Sequence, residues 1–124
     1  MKILVVDDEQ DVRTLFLQSF RREIRNGEFE FSFAFSGEEA LEFLNVHSSE
    51  MILILSDINM PGMSGIQLLR KIRQKNATPP PTVMMITAYG DKENLKDAMD
   101  SGADYFLNKP IDFASLKEKL KSRE

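Results

Sequence analysis

Four short stretches hold the groups in this sequence that could do chemistry: Asp7-Asp8-Glu9, Ser56-Asp57-Ile58-Asn59, Thr87-Ala88 and Asn108-Lys109-Pro110. Each ends or follows an apolar run (Ile3 to Val6, Ile52 to Leu55, Thr82 to Thr87, Tyr105 to Leu107). Carboxylates brought together repel one another, and one stays protonated unless a cation joins them. With oxygen donors and no thiol, a hard cation such as Mg2+ is the fitting one. Mg2+ takes one or two carboxylates and leaves positions for water and a phosphoryl oxygen. Thr87 could donate to such an oxygen and Lys109 could neutralise another as a point charge. An aspartate can itself be the nucleophile and form an aspartyl phosphate. Positioning and charge neutralisation would then be most of what the rest of the chain supplies.

For these groups to meet, the runs that carry them must lie side by side. The four runs are short and mostly aliphatic, as in strands buried on both faces of a parallel sheet. Phe29, Phe31, Phe33 and Phe35 instead alternate with Glu30, Ser32 and Ala34, which predicts a strand at a sheet edge. Helical spacing joins Val12, Leu15, Phe16, Phe20 and Ile24 in one helix. It recurs in Ala40, Leu41 and Leu44 after Ser36-Gly37-Glu38-Glu39, a capped start with acids in the first turn. Ile66, Leu69 and Ile72 form a third helix, and Leu95, Ala98 and Met99 a fourth that Gly102 stops. Phe113, Leu116 and Leu120 form a fifth, with Asp112 as N-cap. A strand-helix unit repeated five times predicts an α/β fold: one parallel sheet with helices on both faces and right-handed crossovers. Ligands bind such sheets beyond the carboxyl ends of the strands, where all four stretches fall.

Composition agrees with one domain spanning 1–124. The 124 residues are 42% hydrophobic and 29% charged, and such a chain can bury roughly two-thirds of its unfolded surface. Sixteen basic against twenty acidic residues give a net charge of −4, against direct nucleic-acid binding. The absence of cysteine excludes disulfides and thiolate metal sites, and one histidine excludes a histidine metal cluster. No apolar run reaches membrane-span length or that of a signal peptide, so the reading is cytoplasmic, with no membrane partner.

Each residue has a plainer reading. A single aspartate after a strand is usually a turn former or cap, Thr87 can merely end a strand, and Lys109-Pro110 can be an ordinary loop. Their convergence on one sheet edge favours a single site. The phenylalanine stripe reads as core and His47 as surface. An Mg2+-dependent phosphohydrolase should carry a D-x-D motif after the first strand, where this chain has Asp7-Asp8. A flavodoxin-like mononucleotide binder should carry a loop rich in Ser, Thr and Gly there. A phosphate-binding G-x-x-x-x-G-K-[ST] loop is absent.

Val5-Val6-Asp7-Asp8-Glu9, Ser56 to Gly65, Thr87-Ala88 and Lys109-Pro110-Ile111-Asp112 resemble the receiver domain of two-component response regulators. The resemblance runs from Lys2 to about Lys121. It implies the flavodoxin-like (βα)5 sheet with strand order 2-1-3-4-5. It implies that Asp57 accepts a phosphoryl group from a sensor histidine kinase or a phosphotransfer protein. Mg2+ would be held by Asp8 directly, by Asp7 through water, by Asp57, and by the backbone carbonyl of Asn59. Lys109 would bind the phosphoryl group and Thr87 would be the switch hydroxyl, with Tyr105 the switch aromatic. The Lys109-Pro110 bond would be cis.

Such a domain is a signalling module rather than an enzyme. It catalyses only its own phosphoryl uptake and slow dephosphorylation. Phosphorylation would bias two pre-existing states and change the surface of the fourth helix, fifth strand and fifth helix. An output domain, a downstream protein or a second copy would bind there. The last helix lacks the arginine-rich ending of the winged-helix branch. Ile24 to Phe31 and Thr87 to Asp91 look more like receivers that precede catalytic output modules. Asn59 and Tyr89 occupy positions that tune phosphoryl lifetime in the family. The ending at Ser122-Arg123-Glu124 suits a stand-alone regulator or the first domain of a longer protein.

Overall fold

The computed structural model describes residues 1–47, 50, 53–77, 79–88 and 90–122. Its strands are β1 (Lys2–Val6), β2 (Glu30–Ala34), β3 (Leu53–Asp57), β4 (Thr82–Thr87) and β5 (Tyr105–Asn108). They form one parallel sheet in the order β2-β1-β3-β4-β5. The expected strand order and the edge position of the phenylalanine strand are both present. Tyr89 and Ile52, the expected first residue of the third strand, lie outside the described residues.

Among the described residues six helices appear where the periodicity predicted five. The first pattern divides at Phe20 (φ −108°, ψ 20°) into α1 (Asp11–Ser19) and α2 (Arg21–Arg25). The hydrogen bonds nevertheless run through the break: Phe20 N–H donates to the Phe16 carbonyl (3.0 Å) and Ile24 N–H to the Phe20 carbonyl (2.9 Å). The apolar spacing therefore survives a local kink, which is why the sequence pattern reads as one helix. The others are α3 (Gly37–His47), α4 (Gly65–Gln74), α5 (Lys92–Asp100) and α6 (Phe113–Lys121).

The expected helix starts are formed. Ser36 Oγ accepts from Glu39 N–H (3.0 Å), and Asp112 accepts from Ala114 and Ser115 N–H (3.1 and 3.3 Å). Ser64 and Gln67 make a reciprocal capping box, which satisfies two backbone donors that a helix start otherwise leaves open.

The sheet separates two cores. Phe16, Phe20, Phe29, Leu116 and Leu120 pack with Ile3, Val5, Leu53 and Leu55 on one side. Leu4, Val6, Ile54 and Met85 pack with Ala40, Leu44, Ile66, Leu69 and Ile72 on the other. β1, β3 and β4 contribute alternate residues to both sides, so the central strands are apolar in their middles, and their buried polar residues, Ser56, Asp57 and Thr87, fall at the carboxyl ends.

Candidate functional site

Those ends form one acidic hollow. Asp7 follows β1, and Asp57 is the last residue of β3. Both are buried (5% and 2% exposed), while Asp8 is open to solvent. One carboxylate oxygen from each of Asp7, Asp8 and Asp57 lies within 4.8 Å of the others. Lys109 reaches in from the loop after β5, and its Nζ donates to Asp57 Oδ2 at 2.8 Å. The other oxygen, Oδ1, accepts from Asn59 N–H at 3.2 Å. Asp57 is thus held at both oxygens.

The backbone explains how it is presented. Ile58 N–H continues the ladder onto the Ile86 carbonyl (3.0 Å), and Gly65 N–H then returns to the Ile58 carbonyl (2.9 Å). A Cβ on Gly65 would collide with the Asp57 carbonyl, so only glycine lets α4 begin this close to the acid.

The charges do not balance. Burial pushes the Asp7 carboxyl above its ordinary 3.8. The Glu9 amide, bonded at 2.9 Å, counters this, while repulsion from Asp57 adds to it. Burial pushes the Lys109 ammonium down, but the bonded Asp57 carboxylate and the charges of Asp7 and Glu9 outweigh it and raise it. Three carboxylates answered by one ammonium suit a divalent cation, and the donors are all oxygen. Asp7, Asp8 and Asp57 are the residues that could hold it.

The remaining candidates sit further out. Thr87 is buried at the end of β4, paired in register with Asn108, and its carbonyl accepts Lys109 N–H (2.9 Å). Its hydroxyl faces the Ala88 carbonyl at 3.5 Å, beside a cavity of about 300 Å3 lined by Gly90, Asp91, Leu95 and Asn108. Tyr105 begins β5 opposite Met84, three register steps or roughly 10 Å from the Thr87–Asn108 pair. The residue is 45% exposed. The Lys109-Pro110 peptide is cis.

Sequence reasoning missed two contributors. The Glu9 backbone amide orients Asp7, which side-chain chemistry cannot announce. Glu38 reads as a first-turn acid, yet its Oε1 accepts Met63 N–H (3.2 Å) from the loop after β3. Only the long-range packing of α3 reveals that.

Comparison with known proteins gives the family. The family described as response regulator receiver domain matches residues 3–121, and the chain belongs to that family. A cyclic di-GMP phosphodiesterase of Thermotoga maritima is 33% identical over 97% of this chain and 30% of its own length. The transcriptional regulatory protein SrrA of Staphylococcus aureus is 37% identical over 89% of this chain and 42% of its own. The chain spans half or less of the length of the curated relatives it matches. The Vibrio cholerae chemotaxis protein CheY4 has the same fold (TM-score 0.82, 26% identity, 98% of this chain and 96% of that one). This chain is accordingly a receiver domain of two-component signalling, a family in which phosphorylation and Mg2+ are general. Among the described residues no helix is long and apolar enough to cross a membrane.

Proposed function

We propose that Asp57 is the phosphoryl acceptor of this domain. The observation that carries the reading is the state of its carboxylate: 2% exposed, beside two further acids, and bonded at 2.8 Å to the ammonium of Lys109. An Asp57 oxygen attacks the phosphorus of a phosphohistidine on the kinase or phosphotransfer partner. The N–P bond breaks as the O–P bond forms, and the histidine leaves. Lys109 neutralises a phosphoryl oxygen. Asp7 and Asp8, with Asp57 and the Asn59 carbonyl, would hold the Mg2+ that screens the remaining charge.

The added phosphoryl oxygens are stronger acceptors than the Ala88 carbonyl that Thr87 now faces. The Thr87 hydroxyl turns toward them, Tyr105 moves into the space it leaves, and the surface of α5, β5 and α6 changes. That surface, where Met99 and Tyr105 are exposed, passes the state to an output domain or a partner protein, or pairs with a second copy. Residues 1–124 would be one cytoplasmic domain. It binds no nucleic acid or membrane itself and catalyses only its own phosphoryl uptake and loss.

Intact mass after incubation with acetyl phosphate tests this. Wild type gains one phosphoryl group with Mg2+ and none with chelator, and Asp57→Asn gains none. Labelling of Asp57→Asn at the wild-type level would refute the assignment.

A further inference from the structure

We propose that Glu38, backed by Gly37, is a positioning residue for Asp57: α3 clamps the loop after β3, and that loop aims the carboxylate. The inference rests on the reading of Asp57 as acceptor. Residues 58–64 form the loop. Its ends are fixed by the Ile58 and Gly65 backbone bonds and by the Ser64 capping box, and Met60 is buried in the core. The stretch Pro61 to Met63 is held from α3. Met63 N–H donates to Glu38 Oε1 at 3.2 Å. Gly62, at φ +74°, passes beneath the same carboxylate, with its Cβ position 3.6 Å from Glu38 Oε2.

The neighbouring residue meets Met63 as well. A Cβ on Gly37 would lie 2.8 Å from Met63 Sδ and 2.9 Å from its Cβ, so no side chain fits there. Two consecutive residues of α3 therefore fix Met63, one by a hydrogen bond and one by leaving room. Four residues before Met63, Asn59 supplies the amide that holds Asp57 Oδ1. Lys109 holds only Oδ2, so the carboxylate plane depends on the loop.

Charge alone predicts the opposite of a clamp. Glu38 adds a further negative charge at the carboxyl edge of the sheet, and removing it would favour approach of an anionic phosphoryl donor. A clamp predicts slower uptake on the same change.

The test compares wild type, Glu38→Ala, Glu38→Gln and Gly37→Ala. Uptake from acetyl phosphate is followed by intact mass, and the Asn59 and Met63 amide resonances by NMR. Loss of the bond slows uptake by about fivefold in Glu38→Ala. Glu38→Gln restores most of the rate because its amide oxygen still accepts from Met63. Gly37→Ala is slowed and shifts both amides. Uptake in Glu38→Ala at or above the wild-type rate, or unmoved Asn59 and Met63 amides, would overturn the proposal. Wild type that gains no phosphoryl group would refute the reading of Asp57 instead, and the two amides would still decide the clamp.

Discussion

Asp7 and Glu23 are both buried acids, 5% and 3% exposed, at opposite ends of the sheet. Asp7 sits at the carboxyl end of β1 among further acids. Glu23 sits on α2, where its backbone carbonyl accepts the Glu28 amide just before β2. Burial pushes both carboxyls up. At Asp7 the repulsion of Asp57 adds to it and the carboxyl stays raised. At Glu23 its own backbone amide and the ammonium groups of Lys121 and Lys117 (3.1 and 3.3 Å) reverse it and hold the carboxyl low. Burial is the same in kind at the two ends, and the partners set the sign. One end is built for stability. The other keeps unbalanced charge, as expected where a fold gives up stability for a task.

The largest test of this contrast lies in the aromatic packing near Glu23. Phe20 is fully buried, with ring centroids 6.0 Å from Phe16, 5.8 Å from Phe29 and 5.1 Å from Phe31. Phe20→Ala should cost about 3–5 kcal/mol in urea unfolding. The folded fraction should still take up phosphoryl groups at the wild-type rate. A loss under about 1 kcal/mol would mean that this region does not anchor the fold as its packing implies.

Phe20 also shows what could be read without a structure. The edge strand and the helix caps follow from alternation and turn chemistry, both local patterns, whereas the strand order was implied only by the family resemblance. The kink at Phe20 does not, because the apolar spacing continues through it. The acid cluster was legible since parallel strands must bring their carboxyl ends together, and Asp7 and Lys109 each follow a strand directly while Asp57 ends one. Asp8 and Thr87 fall at that edge as well. The contacts of Glu38 and the Glu9 amide were not legible. Each depends on where a backbone donor points, and no residue type encodes that. Glu23 was not singled out either: its partners are nearly a hundred residues away on α6, in a stretch that reads as a solvated face.

Next in size is Glu23→Gln. It removes the charge that two partly exposed lysines face, so the loss should be about 1–2 kcal/mol at neutral pH by the same unfolding measurement, below the figure for a wholly buried pair. The effect must depend on pH. A carboxyl held below its ordinary 4.5 stabilises the fold above that value, and the gain is lost as pH falls through the lower folded value. Wild type and Glu23→Gln should therefore converge in acid. A difference that stayed constant from neutral pH into that range would show that packing, and not the paired charge, is what Glu23 supplies.

The smallest effect has the opposite sign. The Asp7 carboxyl is raised above 3.8, so the folded state binds its proton more tightly than the unfolded chain does. Stability from that proton is complete below 3.8 and is lost as pH rises through the raised folded value. At neutral pH, with divalent cations chelated, Asp7→Asn should gain about 1 kcal/mol, because burial and the repulsion of Asp57 no longer act on a charge. That gain should vanish in acid, where Glu23→Gln also loses its effect, so the two variants approach wild type from opposite sides. Adding Mg2+ should stabilise wild type more than Asp7→Asn, since binding to the folded state alone raises stability by mass action. The sign at neutral pH is decisive. If Asp7→Asn is less stable than wild type in chelator, the Glu9 amide bond outweighs the burial and repulsion, and the acidic end of the sheet is not the strained one.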